Sequence, residues 1–102
     1  MDTVITTIRQ AKENKKTVIS LFEKKTGVKV KTGRFAKGSM KQYIALTLSD
    51  TKELQERIDN AKGESELSLY KFNEEIGGTY IQDHREAGYG VVVHYRLYDI
   101  FN

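Results

Sequence analysis

The chain has no cysteine, no proline and no long apolar run, and each absence narrows what it can be. Without cysteine there is no disulfide framework and no thiolate metal site, which fits a reducing compartment. Without proline nothing in the chain need break a helix or a paired strand, and a proline-rich disordered linker is excluded. No stretch approaches the roughly 18 consecutive apolar residues of a membrane span, so no membrane association is expected. The opening residues, MDTVITTIRQ, lack a basic patch followed by an apolar segment. No signal peptide is therefore read, and the expected location is cytoplasmic.

What is present suffices for one domain of 102 residues with one modest core. Apolar residues make up 38% and charged residues 30%, the balance of a folded chain rather than a disordered one. The net charge of +3 conceals an asymmetry. Residues 12 to 41 hold ten Lys or Arg against Glu13 and Glu23, a net +8, while residues 42 to 102 hold six basic and eleven acidic side chains, a net −5. A positive half beside a negative half points to a polar interaction surface. The plainer alternative is a lysine-rich solvated face.

Apolar periodicity predicts a helix over residues 3 to 26, capped by Asp2 or Thr3, with Val4, Ile8, Ala11, Val18 and Phe22 on its inner side. Lys15 interrupts that row, so either a bend there or shallower burial of the first turns than of the last is expected. Thr26-Gly27 is read as its stop. VKVKT and MKQYIALTLS alternate as strands, with Ile44, Leu46 and Leu48 on one face, and GRFAKGS is read as the loop between them. SDTKELQERIDNAKG reads as a second helix, capped by Ser49 or Asp50 and ended by Gly63. ESELSLYKFNEEIGG carries both periods; a short helix stopped by Gly77 and Gly78 is favoured over a strand. TYIQDHRE and YGVVVHYRLYDI form a second hairpin around Ala87 and Gly88, with Val91, Val93, Tyr95 and Leu97 facing the core.

The expected fold is therefore α+β: a four-stranded, mainly antiparallel sheet with two to three helices on one face, in the order α-β-β-α-(α)-β-β. The other face is left half open, and it is expected to carry Lys29, Lys31, Lys41, Tyr43, His94, Arg96 and Tyr98. Lysine and arginine neutralise phosphates, and aromatic rings offer flat surfaces to unstacked bases. Arg34, Phe35 and Lys37 in the loop extend the same chemistry, and the amides of Gly33 and Gly38 are open to close approach by an anion. The candidate binding residues are Lys29, Lys31, Arg34, Phe35, Lys37, Lys41, Tyr43 and Arg96. GRFAKG lacks the GK[ST] ending of a P-loop, so a nucleotide-binding loop is rejected.

Tyrosine and arginine also anchor protein contacts, so a protein partner stays open. His84 and His94 lie on two strands of one hairpin, but adjacent Asp83 and His84 point to opposite faces. Surface histidines are a better reading than a metal site or an RNase-like acid/base pair. The serines lack a paired base. A non-enzyme without cofactor or metal is expected. A homodimer stays open as well, because edge strands of a small sheet can pair across a two-fold axis.

One stretch carries a family likeness. Gly27-Val28-Lys29, the turn Arg34-Phe35-Ala36-Lys37-Gly38-Ser39 and Asp50 before the second helix make residues 17 to 60 resemble the small domain associated with large polyvalent proteins of phages and conjugative elements. The resemblance implies a mobile-element setting and no catalytic residues. In size and build the chain is also similar to phage-encoded inhibitors of host defence nucleases, including anti-CRISPR proteins. Two functions follow as expectations. One is a nucleic-acid-binding module. The other is an inhibitor that docks on a nucleic-acid-handling host protein.

Overall fold

Alternation in two segments far apart in the chain makes them the central strands of one sheet. The structure is a computed structural model that describes residues 5–61 and 65–101. Its elements are α1 (Ile8–Glu13), α2 (Lys15–Thr26), β1 (Val30–Phe35), a single 3-10 turn (Gly38–Met40), β2 (Tyr43–Leu48), α3 (Lys52–Asn60), α4 (Ser65–Ile76), β3 (Tyr80–His84), β4 (Gly90–Arg96) and α5 (Leu97–Phe101). The strands lie in the order β1-β2-β4-β3, every neighbouring pair antiparallel. The two hairpins thus join through β2 and β4 into one sheet.

One sheet face is buried. Ile44, Leu46 and Leu48 of β2, Val91, Val93 and Tyr95 of β4 and Ile81 of β3 meet the helices there. The helices supply Val18 and Phe22, Leu54 and Ile58, Phe72 and Ile76, and Leu97 and Ile100. Tyr95 sits at the junction. Its ring meets Phe22 edge-on at 5.2 Å, and its hydroxyl donates to the Ile76 carbonyl at the end of α4 (2.7 Å). Gly77 follows with φ 81°, and a Cβ there would stand 2.8 Å from that hydroxyl, so the left-handed end of α4 needs glycine on two counts. Arg57 ties α3 to its neighbours: its guanidinium caps the Thr26 carbonyl of α2 and lies over the Phe72 ring of α4 at 5.5 Å.

Four boundaries differ from the sequence reading, each for a local reason. The first helix is two. Thr7 caps α1 in a capping box with Gln10, and Asn14 breaks the chain by turning its amide back to the Gln10 carbonyl (2.8 Å). The caps Asp2 and Thr3, and Val4, lie outside the described residues. The second helix begins at Lys52, capped by Thr51, because the Ser49 amide still bonds to Lys29 (2.9 Å) and holds the chain to the sheet. It ends at Asn60; the expected stop at Gly63 lies outside the described residues. β4 ends at Arg96, because β2 offers no partner beyond Gln42, whose carbonyl takes the Leu97 amide (2.8 Å). The chain then coils into α5, which buries Leu97 and Ile100, and Tyr98 leaves the sheet.

The fourth difference is Gly33. It lies in β1 rather than in a loop, and its Cα faces the core, where an added Cβ would meet Leu46, Ile19 and Ile44 at 3.1–3.3 Å. Its amide is therefore no anion contact, and its lack of side chain lets α2 approach the sheet. Gly33→Val is expected to cost about 1–3 kcal/mol through overpacking, read as a lower urea midpoint. Burial, with the charge of Asp99 adding, pushes the Tyr95 phenol above its ordinary value. Its stabilising contribution is then complete below about pH 10 and lost as pH rises through the folded value. Tyr95→Phe should flatten that alkaline loss while costing about 1–2 kcal/mol at neutral pH, since the Ile76 carbonyl loses its donor. Urea unfolding of both proteins across pH 7 to about 10.5 checks both effects.

Candidate nucleic-acid interface

The face opposite the helices is set by the pairing register. Three rows run across it. Thr32, Thr47, Val92 and Gln82 form one; Arg34, Ala45, His94 and Tyr80 form the next; Tyr43 opposes Arg96 in the third. Arg34 owes its place to a bulge. Val30 pairs with core-facing Leu48, yet Thr32 pairs with open-facing Thr47, so Lys31 is an extra residue that reverses the alternation. In an unbroken strand Thr32 and Arg34 would share the face of Val30 and point into the core.

Seven of the eight predicted site residues fall into three groups. Arg34, Tyr43 and Arg96 come together at one end of the open face. Lys37 and Lys41 flank the 3-10 turn joining β1 to β2 at that same end, both exposed. Lys29 and Lys31 lie at the opposite end of β1, where Lys31 borders a hollow with Asp50, Arg85 and Tyr89. Phe35 departs from expectation. It pairs with Ile44, faces the helices and packs half-buried against the core, so its ring is not offered to a ligand. The same reversal that exposes Arg34 turns Phe35 inward.

Structure adds residues that pattern-reading missed. A groove of about 550 Å³ beside the β1–β2 turn is lined by Arg9, Lys12, Lys41, Gln42 and Tyr98, with Ile8 and Glu13. No sequence spacing signals that α1 and α5 flank this turn. Tyr80 was legible: it is two residues from Gln82 and adjacent to buried Ile81, so alternation puts it on the open face. Tyr80 is 52% exposed, and its ring lies 5.5 Å from that of His94, tilted by 52°. The buried Nδ1 of His94 has no hydrogen-bond partner among the described residues.

Arg34, Lys37, Lys41 and Arg96 make no ion pair among the described residues, so their charge is free for a partner. Arg85 contrasts with them. Asp83 grips its guanidinium at 2.7 and 2.9 Å, and Gln55 takes a third bond at 2.9 Å. Those hydrogen bonds hold the Asp83 carboxyl below the usual carboxylate range and push Arg85 up, so Arg85 is a structural clasp between α3 and β3. His84 and His94 share the open face, but His94 pairs with Tyr80, four residues from His84 along β3. That is roughly 13 Å of strand, so the two imidazoles do not act on one atom.

The arrangement defines a class: an α+β domain with one open antiparallel sheet face and a cationic rim at the end of its first hairpin. No family model matches the chain, and neither the curated proteins nor the solved structures gave a match. Among the described residues no helix is long and apolar enough to cross a membrane.

Phe35→Ala separates packing from charge at this rim. It is expected to lower stability by about 1–3 kcal/mol, since a half-buried ring is lost from the core, and to leave the salt dependence of any nucleic-acid binding unchanged. Urea unfolding and a salt titration of binding on the same variant check the two halves.

Proposed function

We propose that this chain is a small non-enzymatic module of a phage or mobile element that binds nucleic acid through the cationic rim of its open sheet. The observation that carries the reading is the convergence of Arg34, Lys37, Lys41 and Arg96, free of carboxylate partners among the described residues, at one end of a solvent-facing sheet beside Tyr43. Such cations displace counterions from phosphates, which supplies affinity without chemistry. The mobile-element setting rests on the resemblance of residues 17 to 60 alone. A second reading, an inhibitor docked on a nucleic-acid-handling host protein, is favoured by Tyr70 and Tyr89, which are 58% and 72% exposed away from this rim.

The test is fluorescence anisotropy on labelled DNA and RNA across a salt series. Binding is expected to weaken steeply with salt, the logarithmic slope falling by about 0.7–0.9 for each phosphate contact removed. Lys37→Glu with Lys41→Glu should reduce both affinity and slope. Lys29→Glu with Lys31→Glu, an equal change in charge at the far end of β1, should do less. Equal effects from the two pairs would reduce the rim to a share of net charge. Unaltered binding in the Lys37/Lys41 variant would overturn the reading.

A further inference from the structure

We propose that the open face receives single-stranded nucleic acid, with unstacked bases laid over the Tyr80–His94 ring pair and Ala45 and with phosphates turned toward Arg34 and Arg96. This rests on the nucleic-acid reading above and names its ligand. The row Arg34–Ala45–His94–Tyr80 crosses all four strands, a width of about 14 Å. On its β3 side stand two rings, Tyr80 on β3 and His94 on β4; at its β1 edge stands the Arg34 guanidinium, with no ion pair among the described residues. Between them Ala45 rises too little to separate the two, and the neighbouring row of Thr32, Thr47, Val92 and Gln82 carries no charge.

An uncharged, shallow floor suits the flat face of a base, and the cations at its margin suit the backbone that links one base to the next. A duplex fits the same surface poorly. Its bases are already stacked, and it presents phosphates to a floor that has no cation to meet them. Tyr80 is prepared for stacking. The Gln82 amide donates to its hydroxyl at 3.3 Å and the His94 ring flanks it, so little side-chain freedom is left to lose when a base arrives.

Anisotropy at about 0.1 M salt with short labelled oligothymidylate, oligouridylate and a hairpin duplex tests the assignment. The parent should hold a single strand at least about tenfold more tightly than the duplex. Tyr80→Ala should weaken single-strand binding by at least about fivefold and leave duplex binding unchanged, whereas Tyr80→Phe, which keeps the ring and gives up only the Gln82 bond, should weaken single-strand binding by less than about twofold. Ala45→Glu, which raises a carboxylate from the floor, should abolish single-strand binding; thermal unfolding of each variant confirms that the fold is intact. Binding of either oligothymidylate or oligouridylate supports the proposal, and a difference between them reports that the 2′-hydroxyl or the thymine methyl group is read.

Equal affinity for single strand and duplex, or single-strand binding untouched by both Tyr80→Ala and Ala45→Glu, overturns it and leaves the rim as a phosphate contact only. Absence of binding to all three probes overturns the underlying reading along with it.

Discussion

The hydrogen bond from Tyr95 to the Ile76 carbonyl is the constraint on which the rest of the arrangement hangs. It forces the end of α4 down onto the central strand β4, and the edge-on contact with Phe22 brings α2 to the same ring. A phenol in a dry core must find a partner, and here the partner is an orphan carbonyl at a helix end, so one bond satisfies two needs. Once both helices are gathered over that ring, the apolar surface of β2 and β4 is covered on one side only. The open face is what remains when a small chain commits all its helices to one layer.

That remaining face shows how a fold sorts charge. The lysines of the first hairpin do not spread over the sheet; they are displaced to the turn and to the ends of β1, while threonine, alanine and valine occupy the middle. The bulge at Lys31 is the local device behind this, because it exchanges the two sides of β1 at one step and carries Arg34 outward as Phe35 goes in. A single extra residue thus decides which of two neighbouring side chains is available to a partner.

Much of the fold was legible in the sequence because it rests on periodicity. Ile44, Leu46 and Leu48, and Val91, Val93 and Tyr95, announce two half-buried strands, and Gly77 with Gly78 marks the end of α4. The failures occur where a neighbour distant in the chain decides. Whether residue 97 continues a strand depends on whether β2 still has a backbone to pair with, and nothing near Leu97 encodes that. The same holds for Gly33, which reads as a loop glycine until α2 is laid over it. At the site, residue types were legible but grouping was not. The bulge is silent in VKVKT, so Arg34 and Phe35 both look like loop residues in the sequence, and no spacing ties Arg9 and Lys12 to the groove they share with Lys41 beside the β1–β2 turn.

The strand order has a consequence in time. Ile44 and Tyr95 lie side by side at the centre of the sheet although half the chain separates them. The first hairpin can close early on local contacts alone, but its inner edge stays unpaired until β4 has been made and has threaded between β2 and β3. Loop closure over that distance is the slow and entropically costly event, and β4 leads directly into α5. In chain order both strands of the basic hairpin precede β4 and α5, so the two elements that complete the sheet and its core come last among those described.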